Sequence, residues 1–176
     1  MMIVLQALVA LHLLFAAAFV GSNIFLDFLL TPRLDLISPG QAARLGDKLG
    51  TDFAILNWIA LGGLPLSGLT LLWQTGTLDQ LLTLDFYDGG YGVGLAIMMT
   101  IWLSLVVTAT ILTFYLRPRV VVKLPYDASR QDVENSRLDA VKYAKYMRWL
   151  ARYNAIASST ALMIGGVLRW GGFTLG

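Results

Sequence analysis

Cysteine is absent from the 176 residues and histidine occurs once, as His12. The first absence excludes disulfides, iron–sulfur ligation and thiolate metal sites. Any metal is left to His12, methionine, carboxylates or carbonyls, and a hydrolytic nucleophile–base pair has a single imidazole to draw on. Charge is also scarce: 14% of residues are Asp, Glu, Lys or Arg, against about 25% in a soluble domain. No Gly-rich phosphate loop precedes a helix, since Gly89-Gly90 sits in an acidic segment, so nucleotide binding finds no support. There is no repeat period and no low-complexity tract.

What is present is apolar: 57% of residues are hydrophobic and the mean hydropathy is +0.67. This points to an all-α polytopic membrane protein, a four-transmembrane-helix bundle forming one domain over residues 1–176. The first span is expected at about 3–30, closed by Thr31-Pro32-Arg33. It lacks a basic leader and outruns a signal-peptide core, so it reads as a retained helix. The others fall at about 53–73, 91–116 and 149–170. A short polar loop around Ser38-Pro39-Gly40 follows span one, and Gly62, Gly63, Pro65 and Gly68 predict a kink and close packing in span two. Residues 117–148 form the one substantial loop, in which 129–145 has the spacing of an amphipathic helix feeding the last span. Trp58, Trp73, Trp149 and Trp170 fall near predicted membrane edges, and Trp102 lies deeper.

The formal charge is +2 and the pI about 9.0, but the basic residues flank apolar runs, which membrane topology explains without nucleic acid. Arg33, Arg44, Lys48, Arg117, Arg119, Lys123, Arg130, Arg137, Lys142, Lys145, Arg148 and Arg152 fall on one side, and only Arg169 on the other. The positive-inside rule then puts the first and third loops in the cytoplasm and both termini outside the cell (inner) membrane.

Ionisable and polar groups within spans are candidates for function. His12 lies about nine residues from the outer end of span one, roughly 13 Å deep at 1.5 Å per residue. Met98 and Met99, Met163 and Gly68 fall at a matching level on the other spans. A neutral imidazole with a thioether partner suits haem iron or copper, and a small residue leaves room for a flat ring. The plainer readings are a histidine hydrogen-bonded between helices and methionine as packing. A second group sits near the inner surface: Ser22, Asn23 and Asp27 on span one, Asn57 on span two, Arg152 and Asn154 on span four. Asn23 and Asp27 share a face. The group reads as a structural network with Arg152 paired to Asp27, the alternative being a proton or substrate path.

Leu11-His12, with Gly21 nine residues on, and Pro32-Arg33-Leu34 at the helix end resemble the CopD-like copper-resistance family and the related HemJ-type protoporphyrinogen oxidases. Leu66-Ser67-Gly68, Tyr91-Gly92 and Arg152-Tyr153-Asn154 are similar to patterns in their second, third and fourth helices. Two departures stand out. Met98 takes the place of a third-helix lysine associated with haem in the HemJ type, and no glutamate follows Asn154, so a lysine-dependent role does not transfer. The resemblance implies a four-helix scaffold whose outer histidine holds haem b, with Met98 or Met99 as second ligand.

Three functional classes follow: a haem-binding redox protein on His12, a copper-handling protein on His12 and Met98, or a non-catalytic scaffold in a homo-oligomer or larger membrane complex. The lipid bilayer is the partner common to all three.

Overall fold

The computed structural model describes residues 2–120 and 130–170, and they fold into four long helices. Helix α1 covers Met2–Ile24, widens into a π turn over Phe25–Leu30 and tightens into a 3-10 turn over Thr31–Leu36. Helix α2 covers Pro39–Gln74. Helix α3 covers Gly90–Thr110, followed by a second π turn over Ile111–Leu116 and a last α turn at Arg117–Val120. Helix α4 covers Arg130–Leu168. No strand occurs among the described residues.

Three of these helices, over Met2–Arg33, Arg44–Gln74 and Gly90–Val120, are long and apolar enough to cross a membrane. Only 6% of the first of these apolar windows is buried, so most of its side chains keep part of their surface exposed. Leu14, Leu66, Leu103 and Phe114 are among the large apolar residues left exposed. Water would penalise that surface at roughly 25 cal/mol per Å2; lipid does not, and the chain is a membrane protein on this evidence. Helix α4 differs in composition, with Arg152, Asn154, Ser158, Ser159 and Thr160 in the part that enters the bundle.

One boundary departs from expectation. Span two was expected from residue 53 after a loop, yet α2 begins at Pro39. Proline suits a first helical position, where its missing N–H would have no partner. Ser38 precedes it and its hydroxyl donates to the Gln41 side chain at 3.0 Å. Helix α2 also runs unbroken through Pro65. The amphipathic stretch does feed the last helix directly, for α4 is continuous from Arg130, and residues 121–129 of the expected loop lie outside the described residues. At 1.5 Å per residue α4 is ~58 Å long, about twice a hydrocarbon core.

Helix α1 packs most closely on α2, α3 on α4, and α1 on α4. The centre holds Phe19, Ala60, Leu61, Leu105 and Ala109, flanked by Trp58, Ile101 and Trp102. Small residues set the close approaches. A Cβ on Gly63 would lie 2.5 Å from the Phe15 ring, so that ring occupies the space a side chain would take. A Cβ on Gly92 would run into the Phe86 backbone carbonyl, fixing how the 3-10 turn Leu84–Asp88 folds onto the start of α3. The chain leaves α2 through Gly76, whose φ of 69° only glycine adopts readily.

Gly92→Ala is expected to destabilise by about 1–3 kcal/mol, because backbone must move to admit the methyl group. Gly62→Ala, where nothing lies within 4 Å, is expected to be neutral or stabilising by up to about 1 kcal/mol. Thermal unfolding of both variants in detergent checks the contrast.

Candidate functional site

His12 lies in the seam between α1 and α2. Its Nδ1 is 2.8 Å from the Ser67 hydroxyl oxygen, and a Cβ on Gly68 would stand 3.4 Å from its Cε1. The Nδ1–Cε1 edge of the ring therefore rests on α2. Ser67 is buried, and its oxygen is also 2.6 Å from the Gly63 carbonyl. A hydroxyl has one proton and a carbonyl only accepts. If Ser67 donated to His12, its oxygen would face the Gly63 carbonyl lone pair to lone pair. One assignment satisfies both contacts: Ser67 donates to Gly63 and His12 Nδ1–H donates to Ser67. In the neutral ring this assignment leaves the Nε2 lone pair bare.

The predicted partners of His12 scatter. Gly68 is beside it. Met98 packs against α4, its sulfur 3.8 Å from where a Gly165 Cβ would be. Met99 is 47% exposed and Met163 is 74% exposed, so both project from the bundle. Among the described residues no group of three or more His, Asp or Glu side chains gathers to hold a metal.

The basic end of the bundle carries the second group. Asp27, on the π turn of α1, is buried and its Oδ2 accepts from Arg152 Nε at 3.3 Å, while Arg152 itself is largely exposed. Ser22 is 2.7 Å from Asn57 Oδ1, joining α1 to α2. Asn154 Oδ1 accepts from Thr108 at 2.5 Å, joining α4 to α3. Asn23 does not bridge; its amide donates to the Phe19 carbonyl of its own helix at 2.7 Å. These are separate pairs on separate seams.

Several partners were not anticipated from sequence. Ser67 was noted only within a motif, and Thr108 not at all. Ser104 and Tyr153 share a 2.7 Å bond between α3 and α4. Trp102 does more than pack, for its Nε1 donates to the Leu61 carbonyl at 3.1 Å where α2 and α3 have few close backbone approaches. Trp58, expected at a membrane edge, lies against the core with its ring 6.0 Å from Phe114. Its indole nitrogen is the one fully buried side-chain N or O without a partner among the described residues. Near the basic end, Arg117 donates to the Asp47 carboxylate at 3.2 Å and to the Thr51 hydroxyl, tying α3 to α2.

Asn154→Ala is expected to cost about 1 kcal/mol by removing an interhelical bond within the bundle. Ser159→Ala loses only a bond to the Ala155 carbonyl of its own helix and is expected to unfold at nearly the wild-type temperature. Unfolding in mild detergent with added denaturing detergent measures both.

No protein-family profile, curated protein or solved structure matches the chain.

Proposed function

We propose that this chain is a four-span protein of the cell (inner) membrane that binds haem b through His12 Nε2 and serves in electron transfer or haem handling. The observation that carries the reading is the contact geometry at Ser67, whose oxygen is 2.8 Å from His12 Nδ1 and 2.6 Å from the Gly63 carbonyl. A ligating histidine needs a neutral ring whose other N–H is held by a fixed acceptor, and the Gly63–Ser67–His12 chain supplies that. Gly68 leaves room for the Nδ1–Cε1 edge of the ring beside α2.

His12 would be the haem's ligand from this chain. Met98 packs against Gly165 of α4, and Met99 and Met163 face outward, so the reading relies on His12 and on none of these three methionines. Haem, when bound, supplies a one-electron couple. The chain's own part is to orient the imidazole, keep Nε2 unprotonated and surround the site with apolar side chains. Copper suits the site less well, since it needs a cluster of soft ligands that these methionines do not form around His12.

In the same reading α4 is the fourth span despite its polar first half, with Asn154 and Ser158 buried inside the bundle and Arg152 reaching the headgroup layer at its edge. Residues 130–148 then extend into the cytoplasm, and both termini lie outside. The kinship with CopD-like and HemJ-type proteins remains a proposal on the motifs given above. A scaffold role is the second reading. It is favoured by that extension, whose Leu138 and Val141 are 61% and 63% exposed and lie on one face.

Protein purified from haem-replete cells is expected to show a Soret band that is lost in His12→Ala. Ser67→Ala is expected to keep the band but weaken haem retention about 10–100-fold. Colourless wild-type protein, or a band indifferent to His12, would contradict the haem reading. Stable co-purification of colourless protein with a larger partner would establish the scaffold instead.

A further inference from the structure

A second site lies at the basic end, away from His12. The π turn of α3 and the middle of α4 flank a cleft of about 350 Å3. Ile111, Leu116 and Leu150 form its apolar wall, and Lys142 stands among Tyr115, Tyr143 and Tyr146 on its polar side. In an α-helix a residue and its fifth successor point roughly 140° apart. The wider i→i+5 turn at Ile111–Leu116 reduces that angle and lets Ile111 and Leu116 line one wall.

The rim is cationic and aromatic. The Arg119 guanidinium carbon lies 3.6 Å from the Tyr115 ring centre and 5.6 Å from that of Tyr143. Those two rings meet edge to face at 6.5 Å. Arg119 gives one donor to the Tyr115 carbonyl at 2.7 Å and has others to offer. Among the described residues no carboxylate lines the cleft; Asp139, one turn before Lys142, is exposed and outside the lining.

We infer that this cleft binds an anionic phospholipid, its phosphodiester held by Lys142, Arg119 and the hydroxyls of Tyr143 and Tyr146, its acyl chain laid along Ile111, Leu116 and Leu150. The match is one of charge and polarity together. A soluble anion would use the cations and leave the apolar wall bare, whereas a zwitterionic lipid would bring a choline or amine cation toward Lys142 and Arg119. The cleft also sits at the end of the span-length helix Gly90–Val120 that carries Arg117 and Arg119, the depth at which basic residues meet anionic headgroups. The inference rests on the membrane placement proposed above and is independent of haem.

The test uses the full chain in neutral detergent, with native mass spectrometry reading bound lipid as phosphatidylglycerol or phosphatidylcholine is added. Phosphatidylglycerol is expected to bind preferentially. Lys142→Gln and Arg119→Gln should each weaken it about fivefold, and the pair together roughly thirtyfold, while Lys142→Arg and Lys48→Gln stay near wild type. Circular dichroism verifies that each variant is folded, and the Lys142→Gln and Lys142→Arg comparison decides the matter if the double variant does not fold. Equal retention of the two lipids would overturn the inference. So would a loss in Lys48→Gln equal to that in Lys142→Gln, which would indicate diffuse charge, or displacement of the lipid by millimolar inorganic phosphate, which would indicate a free-anion site. Loss of lipid selectivity in protein that still inserts with the expected topology separates failure here from failure of the membrane placement.

Discussion

A ring of side-chain hydrogen bonds closes the bundle, one or more on each of its four seams. His12–Ser67 and Ser22–Asn57 join α1 to α2, and Trp102 to the Leu61 carbonyl joins α2 to α3. Ser104–Tyr153 and Thr108–Asn154 join α3 to α4, and Asp27–Arg152 joins α4 back to α1. Lipid tails are as apolar as leucine, so burying apolar area does not drive these helices together as it would in water. Packing and polar pairing must do so. Each bond contributes about 0.6 kcal/mol on average and up to about 1.7, modest singly and substantial around the ring.

The His12 site inherits its geometry from this ring. The bond that fastens His12 to α2 is also the one that fixes its proton on Nδ1, so the proposed ligand and the structural staple are a single contact. The basic end shows the complementary case. There Asp27 is buried while Arg152 extends outward, which lets a cation reach water without leaving the carboxylate alone in an apolar medium. The two π turns lie at this same end, in α1 and α3, where each helix runs into Thr31-Pro32 or Arg117-Pro118. An added residue per turn there shifts which side chains face the neighbouring helix.

The long apolar runs made three helices legible, because twenty apolar residues leave the backbone little alternative to helix in lipid. The amphipathic lead into α4 was legible from Val133, Leu138 and Val141 at helical spacing. The start of α2 was missed although its signal was present: Ser38-Pro39-Gly40-Gln41 has a capping residue, a first-turn proline and a glutamine three residues after the cap. The later apolar run drew the boundary inward. Depth counting placed His12 level with Met98, Met99 and Met163 but not the direction each faces, and exposure of Met99 and Met163 is decided by rotation of α3 and α4 about their axes. Hydrogen-bond partners were least legible. Asn23 and Asn57 are the same residue type at similar depth, yet only Asn57 is reached from another helix, because neighbour choice depends on interhelical register. The π turns have no marker in sequence.

The proposed fourth crossing by α4 is the claim on which the placement of both sites turns, and a chain without cysteine allows it to be read directly. Single-cysteine variants Asp79→Cys, Lys145→Cys and Trp170→Cys, labelled in intact cells and inverted vesicles with a membrane-impermeant maleimide, report the side on which each position lies. The account expects Asp79→Cys and Trp170→Cys to react from outside and Lys145→Cys only from the cytoplasm. Reaction of Trp170→Cys on the same side as Lys145→Cys would contradict it.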